Sequence, residues 1–181
     1  MNNLKLVKKY KELYGHNSSF YSMTDDLEEV KALWGHVSVD IFLTRCVCNR
    51  KRHQRLIRKT AVDEAVNNLK GELLSLQKCV NFEELYDSVF ELIGIGKTGI
   101  SYCTVYDTCI RMGYCFSPQI LPNDFVYVHR HLKREANEIV GYGNILNKCR
   151  IKRCIFDKKD KAFMQLTCLE IEDFLCVRHK L

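Results

Sequence analysis

Apolar positions recur at three- and four-residue spacing along most of this chain, and that spacing predicts a series of amphipathic helices. Over Asn3–Tyr14 the apolar face is Leu6, Val7, Tyr10, Leu13 and Tyr14, and Gly15 stops the pattern. A second helix follows a loop at His16–Tyr21. Ser22 or Thr24 is expected to cap it, with Asp25, Asp26, Glu28 and Glu29 near its positive end. Its face is Leu27, Val30, Leu33, Trp34, Val37 and Ile41, and Gly35 inside that face marks a point of kink or break. A further helix is expected from about Arg55 to Lys78, with Val62, Ala65, Val66, Leu69, Leu73 and Leu76 inward.

The most distinctive stretch runs from Asn81 to Gly113. Phe82, Leu85, Tyr86, Val89, Phe90 and Ile93 form one face, and Asn81 with Glu84 three residues on reads as a capping-box-like start. The pattern breaks over Ile93-Gly94-Ile95-Gly96-Lys97-Thr98-Gly99 and resumes through Ile100, Cys103, Tyr106 and Ile110, with Gly113 placed to end the helix. Beyond Gly113 the order is less regular. Pro118 and Pro122 mark a loop, and Phe125–Val128 reads either as a short extended piece or as a helix start. Leu132, Ala136, Ile139 and Val140 predict a helix ending at Gly141 or Gly143, and Asp157–Asp160 reads as a turn. Thr167 caps a last helix, Cys168–Val177, with Leu169, Phe174 and Leu175 on its face. The fold class expected is all-α: a compact multi-helix single domain over 1–181, with a central helix-hairpin-helix at about 82–113 and an irregular C-terminal part.

Composition narrows the picture. The chain has 181 residues, 46% of them hydrophobic, enough for one ordinary core, and only two prolines to punctuate a many-stranded β fold. No segment reaches the apolar length of a membrane span. The polar, amphipathic start MNNLKLVKKYKEL does not read as a signal peptide. The ten cysteines fall in segments that read as core helices, so they are expected to be reduced small hydrophobes in a cytoplasmic protein.

The formal net charge is +6, which favours anionic partners, but the clustering of the cations says more than the total. Arg45–Lys59 carries seven Lys or Arg residues and no acid, so Arg50, Lys51, Arg52 and Arg55 are candidates to lie along a phosphate backbone, with His53 and Gln54 beside them. Lys148–Arg153 and His129–Arg134 are also basic.

The hairpin adds a second phosphate feature. Gly94 and Gly96 allow turn dihedrals that a side chain forbids and let a phosphate approach the backbone. A helix beginning there offers free N–H groups, and Lys97 and Thr98 add a cation and a hydroxyl. Such contacts hold phosphate without reading bases. An apolar helix, then Leu92, Gly94, Ile95, Gly96, Lys97, Thr98 and Ile100, then a second apolar helix resembles the helix-hairpin-helix motif of non-sequence-specific DNA-binding proteins. The resemblance implies a nucleic-acid partner (DNA, or RNA) held by Gly94, Gly96, Lys97, Thr98 and Gly99.

Val105-Tyr106-Asp107-Thr108-Cys109-Ile110-Arg111 is similar to the segment that follows the hairpin in base-excision DNA glycosylases of the helix-hairpin-helix superfamily. That likeness implies a catalytic carboxylate at Asp107 and a nucleophile at Lys97. It departs from those enzymes in spacing, since only Gly99–Tyr106 separates hairpin from Asp107 where they place a complete helix and a loop. Cys149, Cys154, Cys168 and Cys176 also lack the iron–sulfur spacing of some members.

Two other chemistries are weighed. Cys46, Cys48 and His53, or His129 and His131 with Cys149 and Cys154, could supply zinc ligands, but neither set has finger spacing, so no metal and no cofactor is expected. Met112, Tyr114 and Phe116 read as core rather than as a base-stacking platform. The expected function is non-sequence-specific nucleic-acid binding through the hairpin and the basic runs. The alternatives are a reduced glycosylase-like enzyme, or a helical protein-interaction module or inhibitor that binds a protein instead.

Overall fold

The computed structural model describes residues 3–14, 23–49, 57–94, 100–129 and 132–181. The chain is all-α apart from one two-stranded ribbon among the described residues. It divides into two compact units: a central unit, Asp26–Leu121, and a terminal unit formed by Met1–Asp25 with Pro122–Leu181.

Helix α1 is Asn3–Tyr14, and Leu6, Val7 and Tyr10 are its buried residues, as the spacing predicts. Helix α2, Met23–Lys31, carries the boundary between the units. The second predicted helix is in fact two. The chain leaves the helix after Lys31 and turns at Gly35, whose φ of 78° is left-handed. It starts again as α3, Val39–Val47, where Ser38 Oγ accepts from Ile41 N. The break rotates the later face, so Ile41, expected inside, is exposed.

Helix α4, Lys59–Leu76, buries Val62, Ala65, Val66, Leu69, Leu73 and Leu76, all six residues expected to face inward. Helix α5, Phe82–Ile93, starts at Asn81, whose Oδ1 accepts from Glu84 N at 2.9 Å. The reciprocal bond to Glu84 comes from Val80 N, at 2.8 Å, one residue before the cap. Helix α6, Tyr102–Cys115, is capped by Ser101. In the central unit α3 packs on α4, α4 on α5, α5 on α6, and α6 back on α3, which closes a four-helix bundle.

Gly113 does not end α6. It lies inside the helix because the chain folds back against it: Ile120 N donates to Gly113 O at 2.9 Å, and a Cβ on residue 113 would stand 2.1 Å from Ile120 O. The residue is glycine for close approach, not for a cap. Nor does α6 have a single apolar face, since every residue from Thr104 to Gly113 is buried, as for a helix enclosed on all sides.

The terminal unit is more ordered than its sequence pattern suggests. Strand β1, Phe125–Tyr127, pairs antiparallel with β2, Arg150–Lys152, with Val126 opposite Ile151. Helix α7 is Leu132–Val140, followed by Gly141 at φ 86°. Asp157–Lys159, expected as a turn, is the last turn of α8, Arg153–Lys159. Asp160 then caps the 3-10 turn at 161–165, where its Oδ1 accepts from Ala162 N. Helix α9, Cys168–Val177, begins with a complete capping box between Thr167 and Glu170. The core of this unit joins Leu6, Val7 and Tyr10 of α1 to Val126, Ile151, Phe156, Phe163 and Phe174.

Candidate nucleic-acid interface

Of the candidate residues, Gly94 and Asp107 are described. Gly96, Lys97, Thr98 and Gly99, and Arg50, Lys51, Arg52 and Arg55, lie outside the described residues, as do His53, Gln54, Arg130 and His131. What the structure does give is the set of points from which those two segments leave and return.

The hairpin leaves α5 at Gly94, which has φ 65° and ψ 74° and donates its N–H to Phe90 O at 3.2 Å. A left-handed residue closing a helix is the usual work of a glycine. The exit is tied laterally, since Asn68 Nδ2 of α4 donates to Leu92 O at 3.0 Å. The return is at Ile100, which is buried, followed by Ser101, whose Oγ accepts from Thr104 N. Helix α6 therefore begins at Tyr102, later than the hairpin glycines, and Ser101 takes one of its first N–H groups.

The basic run is fixed at its start by a buried charge network. Asp26, with no exposed side-chain surface, accepts from Arg111 Nε at 2.8 Å, Arg45 Nη2 at 2.8 Å and Asn49 Nδ2 at 2.6 Å. Arg111 Nη1 also donates to Cys46 O at 2.7 Å, which binds the end of α3 to α6. Burial alone would raise the Asp26 carboxyl, but the charge and hydrogen bonds of Arg111, and then of Arg45, bring it below the usual carboxylate range. Arg45, counted in the sequence with the basic run, is committed to Asp26 and to Glu29 at 3.0 Å. The run proper is Arg50–Lys59, six cations without an acid, strung between the buried Asn49 and the start of α4.

Asp107 lies in the middle of α6 and is 5% exposed. Its Oδ2 is 3.9 Å from Arg111 Nη2, one helical turn on. A carboxylate in this position serves the network around Arg111, and a sugar would have to displace the helix packing to reach it.

None of the ten cysteines forms a disulfide. Burial pushes the Cys46 thiol up, and pushes Cys115 up to about 12, so both stay protonated and act as small apolar groups. Among the described residues no three His, Cys, Asp or Glu side chains converge as a metal site would require. No helix among them is long and apolar enough to cross a membrane. Comparison of the chain with protein-family models, with curated proteins and with solved structures finds no match.

The sequence pattern missed the Asp26–Arg111 pair, whose members are 85 residues apart, and no periodic signal carries it. It also missed the exposed aromatic residue that opens α6, Tyr102.

Proposed function

We propose that this protein binds nucleic acid through the phosphate backbone, using the Gly94–Gly99 connection and the Arg50–Lys59 run of its central unit. The observation that carries the proposal is the anchoring of both segments. Each leaves and re-enters the bundle at a fixed point: Gly94 and Ser101 for the hairpin, Asn49 and Lys59 for the basic run. Glycine lacks the side chain that would keep an anion from a backbone N–H, and an acid-free run supplies salt-sensitive affinity. Such binding positions a backbone and has little sequence preference.

The burial of Asp107 and its place beside Arg111 favour binding over glycosylase-like catalysis. A reaction on a flipped base needs a carboxylate that lines an open pocket.

The test is anisotropy binding of the full chain to short labelled DNA and RNA across a salt series, for wild type and Lys97→Gln. The wild type is expected to lose affinity steeply with salt, and the variant to give a log–log slope shallower by about 1. Absence of binding at low salt, or a slope unchanged in the variant, counts against the hairpin as the phosphate site.

A further inference from the structure

Helix α4 has one face that the bundle leaves open. The helix packs between α3 and α5. Two side chains mark its flanks: Lys70 Nζ donates to Asp40 of α3 at 2.8 Å, and Asn68 Nδ2 donates to Leu92 O of α5. Between those flanks run Thr60, Glu64, Asn67, Gly71 and Leu74, with Lys78 just past the helix end, all exposed. Their alternate steps of four and three residues are the seam spacing of a helix that packs along another helix.

Two residues set this seam apart from an ordinary solvated face. Leu74 is 74% exposed. Gly71 lies in the interior of α4 without a left-handed φ, and a Cβ on it would meet nothing within 4 Å. Neither backbone geometry nor packing within the chain therefore calls for glycine, at a place where alanine makes the more stable helix. What a missing side chain does there is let a second backbone come close. Leu74, one turn on, supplies the knob for such a hole. Asp40 reaches Lys70, so the first turn of α3, with exposed Val39 and Ile41, lies beside the same face.

The charges name the occupant. Glu64 stands seven residues before Gly71 and Lys78 seven after. Neither pairs with a charged side chain among the described residues. A surface with one charge of each sign on opposite sides of a central hole is complementary to its own copy turned end for end.

We propose that a second copy of this chain docks on this face, with the two α4 helices crossing antiparallel near Gly71 about a two-fold axis. Leu74 of each copy seats over the partner's Gly71, and Lys78 extends along the rim toward the partner's Glu64. The apolar contact supplies affinity, and the two equivalent ion pairs fix the register. A parallel pairing sets like charges against each other at both positions and is disfavoured. The proposal goes beyond the phosphate-binding reading and uses none of its residues.

Sedimentation equilibrium of the full chain over a wide concentration range tests it, with circular dichroism to show that each variant folds. The wild type is expected to dimerise with a micromolar dissociation constant. Leu74→Glu is expected to weaken the dimer at least about tenfold, because it sets a carboxylate into the contact from each copy. Gly71→Gln is expected to do the same while raising the denaturation midpoint at concentrations where the chain is monomeric, an opposition that only an intermolecular role for the glycine produces. Glu64→Lys and Lys78→Glu are each expected to weaken dimerisation about fivefold, and the double variant to restore it. A wild type that stays monomeric at every concentration overturns the proposal, as does a dimer unchanged in Leu74→Glu or in Gly71→Gln. A double charge variant as weak as either single one overturns the antiparallel register.

Discussion

The central unit holds twelve Lys and Arg against twelve Asp and Glu, whereas the terminal unit holds sixteen against ten, so the whole net charge of +6 belongs to the terminal unit. The two use their cations differently. In the central unit Arg45 and Arg111 are consumed by a buried carboxylate and Lys70 pairs with Asp40 at the surface, while six cations stay together in Arg50–Lys59. In the terminal unit the cations fall in several shorter groups, among them Lys148–Arg153 with four. Lys5, Lys8, Lys9 and Lys11 are exposed on α1, Lys158 and Lys159 on α8, and Lys161 begins the following 3-10 turn. Net charge governs the long-range field, but affinity for a polyanion depends on how many cations meet successive phosphates at once. On the proposed phosphate-binding reading the footprint lies in the electrically neutral unit, where total charge alone would not place it.

Removing the clustered cations is the sharpest way to break this comparison. Replacing Arg50, Lys51, Arg52 and Arg55 together with Ala is expected to make the salt slope for duplex DNA shallower by roughly 3–4, and to weaken binding at 0.1 M salt about a thousandfold. Replacing Lys5, Lys8, Lys158 and Lys159 with Ala removes the same formal charge from the terminal unit. Its expected slope change is smaller than about 1. Salt-series anisotropy on the two variants decides the matter, and a larger effect from the second set would move the footprint to the terminal unit.

The next effect in size concerns the network that anchors the basic run. Arg111→Leu leaves Asp26 buried with its main partner gone and should cost about 3–5 kcal/mol in chemical denaturation. Arg111→Leu combined with Asp26→Asn should recover part of that loss. The folded Asp26 carboxyl lies below its unfolded value of about 3.9. Its contribution is therefore complete above that pH and is lost as the pH falls through the lower folded value. Acid titration of Asp26→Asn is expected to show a weaker fall in stability below pH ~4 than the wild type shows.

How much of this was legible in the sequence follows from the kind of contact involved. Helices α1, α4 and α5 each bury one stripe against a neighbour, and a stripe is what periodicity reports; on α9 the expected face matches at Phe174 and Leu175 but not at Leu169, since Cys168 and Ile171 are the residues buried there. Helix α6 is buried on all sides, so its apolar and polar residues alternate without a face, and neither the burial of Asp107 nor the pairing of Arg111 leaves a local trace. Arg45 looked like part of the basic run because a charge count does not know its partner. The segment of β1 reads two ways and β2 gives no strand signal, because three-residue strands are too short to show alternation. The break in the pattern at Ile93–Gly94 coincides with the end of α5, whereas Gly113, which the pattern places at a helix end, lies inside α6 and is set by the approach of Ile120. Gly113→Ala supplies the test: a Cβ 2.1 Å from a backbone oxygen forces the chain apart, and about 2–3 kcal/mol of stability should be lost. An alanine that melts like wild type would show that the chain at Ile120 yields without cost and that close approach does not require glycine at 113.

The smallest effect tests the terminal unit by itself. Lys148 and Cys149, just before β2, have φ of 57° and 60°, two consecutive non-glycine residues in the left-handed region. The conformation is held by its hydrogen bonds: Leu146 N donates to Arg150 O at 2.7 Å and Val128 N to Cys149 O at 2.8 Å. Both bonds use backbone atoms, so they survive a change of side chain, whereas the Cβ of residue 149 opposes the backbone it sits on. Cys149→Gly removes that opposition, and part of the gain is given back as extra freedom of the unfolded chain. The net expectation is a stabilisation of about 0.5–1 kcal/mol, read as a rise in denaturation midpoint with an unchanged m-value. Since the substitution leaves every cation in place, the salt slope for DNA should stay that of the wild type. A shifted slope would mean that the turn before β2 shapes the polyanion-binding surface, and the terminal unit would then share the role assigned here to the central one.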